Sequence, residues 1–161
     1  MSIVIYTGKI NSGKTTSLLN WSSKQKGVKG FLQTKQGEDR FLTNIETKEN
    51  LPLTTNEYIG EDAVVKFCAY TFIKETFVKV NKEMISIIDC MNEGTIIIDE
   101  WGYVEEKNEG MHNAILHVMA NFKQKNIDFI IVVRERLVDS FIKKYKLIAN
   151  EYRVIDNCNE L

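Results

Sequence analysis

Apolar and polar residues follow two different spacings along the chain. Short runs of mostly β-branched residues at 3–6, 95–98 and 128–133 predict strands buried on both faces, and the segments 28–34 and 151–155 predict two more strands. Between them, apolar residues recur every three or four positions, which predicts helices with one buried face. This alternation predicts an α/β fold, a three-layer sandwich whose mostly parallel sheet carries helices on both faces.

The helical spacing predicts four helices. The first spans about 15–26 with Leu18, Leu19 and Trp21 turned inward, and the second spans about 74–92. The third carries the apolar face from Met111 to Phe122, and the fourth carries the face from Leu137 to Tyr145. Residues 35–73 contain short β-type runs at 40–47, 51–53, 64–67 and 70–73, which predict a small antiparallel β insertion.

Length and charge narrow the class of protein. A chain of 161 residues without a repeat or a low-complexity segment predicts a single domain over 1–161. With 21 basic and 22 acidic residues, the net charge of −1 offers no general attraction to nucleic acid. No secretory signal or bilayer-length apolar stretch is visible, and three scattered cysteines suit a reducing compartment, so we expect a soluble cytoplasmic protein without a membrane.

The segment after the first predicted strand carries the strongest chemical signal. It matches the pattern G-x-x-x-x-G-K-[ST], known as Walker A. Glycines at both ends let the backbone curl so that N–H groups point at a phosphate, and the following helix directs its positive end to the same charge. The predicted nucleotide-binding residues are Gly8, Lys9, Ile10, Asn11, Ser12, Gly13, Lys14, Thr15 and Thr16. The bland alternative is a glycine turn before a surface helix.

Within this loop, Lys14 is expected to reach the β- and γ-phosphate oxygens and so take a catalytic part. The Thr15 hydroxyl is expected to coordinate a Mg²⁺ ion that bridges the same phosphates. Together they predict a nucleoside triphosphate, ATP or GTP, as the ligand.

A second signal is the apolar strand that ends in Asp99 and Glu100, a Walker B pattern. Ligands in an open α/β sheet lie at the carboxyl ends of its strands. We expect Asp99 to hold Mg²⁺ through a water molecule, and Glu100 to polarise the attacking water for in-line displacement at the γ-phosphate. The alternative is a strand that ends in a solvated acidic turn.

The chain has four arginines, and one follows the strand 128–133. In one branch of phosphate-loop proteins this strand inserts between the acid-ended strand and the loop strand, which would direct Arg134 at the γ-phosphate as a catalytic charge stabiliser. The alternative is a solvated arginine at a helix start. Arg136 is a weaker candidate, Arg40 is a candidate for folding over the phosphates or the base, and Arg153 is expected to be structural.

Other chemistries find little support. His112 and His117 are five residues apart, which does not fit a zinc-binding helix, and both are expected at the surface. No Ser-His-Asp order or cysteine nucleophile constellation is present, and no protein partner is identifiable.

Several segments together resemble a family of small P-loop nucleoside-triphosphatases that includes the cancer-related nucleoside-triphosphatase. The resemblance covers about residues 3–135. It rests on the loop 8–15, the segment 28–31 with Thr34 and Arg40, the pair Tyr70 and Phe77, and the block 99–105. It implies the P-loop NTPase fold and slow, broadly specific, Mg²⁺-dependent hydrolysis of nucleoside triphosphates to diphosphates and phosphate.

Two other functions stay open on the residues alone. In a nucleotide or small-molecule kinase, Arg134 and Arg136 would belong to a lid, and an acid would receive a hydroxyl proton. In a nucleotide-dependent switch, hydrolysis would time a partner interaction through the β insertion.

Overall fold

The computed structural model describes residues 3–161. A seven-stranded sheet runs through it in the order β4-β3-β2-β7-β8-β1-β9, and β5 pairs with β6 in a separate antiparallel sheet. The strands are β1 (Ile3–Tyr6), β2 (Val28–Gln36), β3 (Asp39–Asn44), β4 (Asn50–Pro52), β5 (Val64–Phe67), β6 (Tyr70–Ile73), β7 (Glu93–Trp101), β8 (Asn126–Val133) and β9 (Tyr152–Ile155). The helices are α1 (Lys14–Ser22), α2 (Lys74–Cys90), α3 (Tyr103–Glu106), α4 (His112–Asn121) and α5 (Val138–Tyr145).

The five strands from β2 to β9 in the sheet are parallel, as their pairing registers show. The mostly parallel α/β sandwich expected from the sequence is therefore confirmed. The position of β8 between β7 and β1 is also as predicted, so the carboxyl ends of β7 and β8 both face the loop after β1.

Alternate side chains of each central strand point to opposite faces of the sheet. On β7, Ile96 and Ile98 pack with α2, α4 and α5, whereas Ile97 packs with Leu18 of α1 on the other face. Both faces are thus covered, which explains why these strands are continuously apolar. In α1, Leu18 is fully buried and Trp21 is partly buried, but Leu19 is exposed, contrary to expectation. The helix also ends at Ser22, four residues before the predicted end near residue 26, and the chain turns at residues 23–26.

The predicted β insertion divides into two parts. Strand β3 pairs antiparallel with β2, with Phe31 opposite Asn44, and β4 pairs antiparallel with β3 at the edge of the main sheet. Strands β5 and β6 form the separate hairpin, in which Val64 pairs with Ile73. The hairpin is a separate sheet, but β6 is bonded to the segment after β4, where the Ile73 N–H donates to the Leu53 carbonyl at 3.0 Å and the Thr55 N–H donates to the Thr71 carbonyl at 3.0 Å. No helix of the described residues is long and apolar enough to cross a bilayer.

Candidate nucleotide-binding site

The loop between β1 and α1 curls tightly around its own lysine. Gly8 and Gly13 have φ angles of 139° and 83°, and this left-handed region favours glycine. The Lys14 ammonium donates to the carbonyl oxygens of Gly8, at 3.0 Å, and of Lys9, at 2.8 Å. Because these two oxygens lie at the start of the loop and Lys14 lies at its end, the ammonium spans the loop.

A short hydrogen bond connects this loop to the end of β7. The Thr15 hydroxyl donates to Asp99 Oδ2 at 2.7 Å, and the backbone N–H of Gln33 donates to the same oxygen at 3.1 Å. Asp99 is buried, and its desolvation raises the pKa of the carboxyl to about 6, although the bond from Thr15 opposes this shift. The Thr15 hydroxyl at the start of α1 is thus in direct contact with the Asp99 carboxylate near the end of β7.

Glu100 follows Asp99 on β7 and lies beside Arg134, the residue after β8. Arg134 Nε donates to Glu100 Oε1 at 2.5 Å, and both side chains are partly exposed. The guanidinium carbon lies 5.5 Å from the centre of the Tyr103 ring, so the arginine also rests on an aromatic face. The structure therefore brings Asp99, Glu100 and Arg134 to the same edge of the sheet.

Glu105 holds the turn that follows Glu100 in place, a role that the sequence did not reveal. Its Oε2 accepts from Gly102 N–H at 3.0 Å, and its Oε1 accepts from Met111 N–H at 3.1 Å. Burial raises the pKa of the Glu105 carboxyl to about 7. The two bonds tie the turn after Glu100 to the start of α4. The sequence does contain one signal for this contact: Glu105 comes three residues after Gly102, which is the spacing of the acid in a capping box.

The remaining arginines lie away from this cluster. Arg40 donates to the Tyr70 hydroxyl at 2.8 Å and stacks on the Tyr70 ring at 4.4 Å, so it joins β3 to the hairpin. Its Nε is buried without a hydrogen-bond partner among the described residues. Arg136 is exposed in the turn Glu135–Leu137, and Arg153 donates to the Glu160 carbonyl, a structural contact.

The expectation that both histidines are at the surface was wrong for His112. This residue is 9% exposed and shares a hydrogen bond of 2.9 Å with the Tyr145 hydroxyl, which also accepts from the Trp101 indole N–H. Burial lowers the pKa of His112. His117 contacts Asp89 at 2.7 Å and is partly exposed. The sequence spacing of two histidines does not reveal that one of them faces a tyrosine from a later helix.

The donor set at Thr15 and Asp99 fits a hard cation such as Mg²⁺. Magnesium takes a hydroxyl and one carboxylate from a protein and completes its shell with phosphate oxygens and water. Residues 3–161 contain no group of three or more His, Cys, Asp or Glu that could hold a metal by themselves.

Three features define the class of this protein: a glycine-lysine-threonine loop after β1, acidic residues near the end of β7, and the position of β8 between these two strands. Together they are the P-loop NTPase fold. The chain belongs to the NTPase family, whose sequence profile matches residues 3–160. The resemblance noted in the sequence is thereby confirmed. The comparison with curated proteins returned no match.

Two solved structures are similar over nearly the whole chain. THEP1 from the hyperthermophile Aquifex aeolicus superposes with a TM-score of 0.71 at 18% identity, covering 97% of this chain and 89% of that one. The human cancer-related nucleoside triphosphatase superposes with a TM-score of 0.68 at 13% identity, covering 97% and 88%. At such low identities the likeness concerns the fold.

Proposed function

We propose that this protein hydrolyses nucleoside 5′-triphosphates to diphosphates and phosphate in a Mg²⁺-dependent reaction, with Glu100 directing the attacking water. Membership of the NTPase family supports nucleoside triphosphatase activity. The observation that carries the finer proposal is the 2.7 Å bond between Thr15 and Asp99, which joins the phosphate loop to the acid strand with Glu100 next along it.

The loop residues 8–16 supply the phosphate site. Their backbone N–H groups and the positive end of α1 attract phosphate oxygens, and Lys14 exchanges its contacts with loop carbonyls for the β- and γ-oxygens. Thr15 and Asp99 would hold Mg²⁺, which, when bound, neutralises charge that develops on the phosphates. The deprotonated Asp99 carboxylate is the form that binds the cation, and the ion favours that form.

Glu100 and Arg134 have separate roles in the transfer of the γ-phosphoryl group. One Glu100 oxygen, Oε1, is held by Arg134, and we assign the other oxygen, Oε2, to the attacking water. As the water oxygen bonds to the γ-phosphorus, the bond to the β–γ bridging oxygen breaks, and Glu100 accepts the proton. Arg134 places positive charge beside the transferred phosphoryl group, where its planar donors suit phosphate oxygens.

The test compares Glu100→Gln with the wild-type protein in phosphate release from Mg²⁺-ATP. The amide cannot accept the proton, so we expect turnover to fall by roughly 100-fold or more while nucleotide affinity is retained. Glu106→Gln is the matched control, because Glu106 accepts from Ser140 on α5 and its loss of charge leaves Glu100 untouched. Equal turnover in Glu100→Gln and wild type would refute the role of Glu100.

Substrate range is measured in the same assay. Phosphate release from ATP, GTP, CTP and UTP establishes base preference, and Lys14→Ala should abolish release from all four because nucleotide binding fails. Release that survives in Lys14→Ala would refute the phosphate loop as the site.

A further inference from the structure

The guanidinium of Arg134 is joined to Glu100 by one hydrogen bond rather than two. Its Nε donates to Glu100 Oε1 at 2.5 Å. An arginine and a carboxylate frequently form two parallel bonds, in which two nitrogens face both oxygens. Within residues 3–161, the single bond leaves Glu100 Oε2 and both terminal nitrogens of Arg134 without a hydrogen-bond partner. These are the groups that the proposed hydrolysis assigns to the attacking water and to the γ-phosphate.

Two neighbours confine this guanidinium. Its central carbon lies over the Tyr103 ring, 5.5 Å from the ring centre. The backbone of Gly102 lies close to the same side chain, since a Cβ atom on Gly102 would come 3.1 Å from Arg134 Nε. A guanidinium is attracted to an aromatic face and stacks on it. The ring therefore favours one orientation of the guanidinium and opposes the turn that would bring a terminal nitrogen to Glu100 Oε2.

The Tyr103 ring is in turn held by the β5–β6 hairpin. Phe67 of β5 stacks on Tyr103, with ring centres 5.2 Å apart and planes 15° from parallel. Lys107 Nζ lies over the Phe67 ring at 5.2 Å from its centre. The Tyr103 hydroxyl has no hydrogen-bond partner among the described residues, so the ring alone makes these contacts. The contacts thus run without a gap from the hairpin through Phe67 and Tyr103 to Arg134.

We propose that Tyr103 is a positioning residue for the transfer of the γ-phosphoryl group, and that the hairpin acts on the reaction through it. The inference rests on the proposed hydrolysis and extends it. The ring keeps Arg134 Nε on Glu100 Oε1, so that Oε2 stays free for the attacking water and the terminal nitrogens stay free for the γ-phosphate. Without the ring, the guanidinium turns onto both oxygens of Glu100, and the water loses its proton acceptor.

The first test measures phosphate release from Mg²⁺-ATP by Tyr103→Leu, which loses the ring but stays apolar. We expect kcat to fall roughly 10-fold, an effect of the size that one cation–π contact can have on a barrier. Affinity for ADP should be unchanged, because ADP binds to the loop 8–16. Tyr103→Phe keeps the ring and should restore most of the turnover. An unchanged kcat in Tyr103→Leu, or an equal loss in Tyr103→Phe, would overturn the role of the ring.

Tyr152→Leu is the matched control. Tyr152 is a partly buried tyrosine that packs on the core beside Ile3, at the amino end of the parallel strands and so opposite the site. The control loses the same atoms as Tyr103→Leu and should keep the wild-type kcat. An equal fall in kcat in both variants would show a general effect on the fold and overturn the proposal.

A second test distinguishes positioning from a purely structural effect. If Tyr103 acts through Arg134, Tyr103→Leu lowers kcat in the wild-type protein but causes no further loss in Arg134→Ala. An equal fall in both backgrounds would mean that the ring does not act through the arginine. Phe67→Leu removes the neighbouring ring from the hairpin side and should lower kcat in the same non-additive way. This variant decides the question if Tyr103→Leu does not fold.

A binding measurement keeps this inference separate from the proposed hydrolysis. ADP with aluminium fluoride imitates the transferred phosphoryl group, so its affinity, measured by calorimetry, reports on Arg134 without turnover. We expect Tyr103→Leu to bind this analogue roughly 10-fold more weakly than the wild type and to bind ADP equally well. Equal affinity for the analogue would overturn the role of Tyr103. If Glu100→Gln releases phosphate like the wild type, or neither releases any, the proposed hydrolysis fails, and the analogue still decides the role of Tyr103.

Discussion

Replacing Gly30 by alanine tests how closely β2 is bound to β7. The two strands are parallel, with Gly30 opposite Ile97. A Cβ atom on Gly30 would lie 2.0 Å from the Ile97 carbonyl oxygen and 2.9 Å from two further backbone atoms of Ile97. Ordinary van der Waals contact begins near 3.4 Å, so the strands would have to separate by more than an ångström. The clash involves backbone, which cannot rotate away as a side chain can.

The free energy of unfolding should fall by roughly 4–6 kcal/mol, a large part of the 5–15 kcal/mol typical of a whole domain. Two contributions make up this loss. The φ angle of 122° at Gly30 is strained for alanine by roughly 1–2 kcal/mol. The displaced strands also lose about three or four hydrogen bonds, each worth roughly 1 kcal/mol.

Thermal unfolding followed by circular dichroism measures the loss, which corresponds to a fall of roughly 10–20 °C in Tm at this chain length. Gly37→Ala is the matched control: it too has a positive φ, of 60°, but an added Cβ meets nothing within 4 Å. It should cost only about 1 kcal/mol. If Gly30→Ala does not fold, the absence of a cooperative thermal transition, beside a cooperative one in Gly37→Ala, gives the same comparison. A Tm for Gly30→Ala within a few degrees of the Gly37→Ala value would refute the close approach of these strands.

Two further predictions concern buried polar groups. The pKa of Glu105 is about 7 in the folded protein against an ordinary 4.5, so the folded state binds more protons and stability falls as the pH rises from 4.5 through 7. Between pH 5 and pH 8 this carboxyl should account for roughly 2 kcal/mol of the fall in the free energy of unfolding, which urea denaturation measures. Glu105→Gln should remove that contribution. An equally steep pH dependence in the variant would contradict the assignment to Glu105. Tyr145→Phe leaves the buried Trp101 N–H without its acceptor, found at 3.2 Å, and should cost roughly 1–3 kcal/mol in the free energy of unfolding. Tyr58→Phe, at an 87% exposed position, is its control, and equal Tm values for the two variants would disprove the contribution of this bond.

The sequence predicts the parallel sheet well because its central strands are apolar on both faces. The runs around Ile97 and Ile130 have no polar alternation, which is typical of strands covered by helices on both sides. The loop residues and Asp99 are also predictable, since each is fixed by a motif within a few positions of a strand. The Thr15–Asp99 contact then follows from the order of three strands.

Other features depend on contacts between distant segments, which periodicity does not contain. Leu19 fits the apolar spacing of α1 but lies outside the strip that the sheet covers. His112 has the sequence surroundings of a surface residue, yet Tyr145 from α5 reaches it. Likewise, β3 and β5 have similar β-type patterns, and only packing decides that β3 joins the main sheet while β5 pairs with β6.

The short strand β4 at the edge of the main sheet has a consequence for how copies of this protein behave together. An exposed sheet edge offers unpaired N–H and C=O groups to any other strand, and long, flat edges promote aggregation. Here the edge strand is three residues long and ends in Pro52, whose nitrogen carries no hydrogen to donate. A strand from a second molecule therefore finds few donors on β4, which disfavours intermolecular β-pairing along this edge of the sheet even at high concentration.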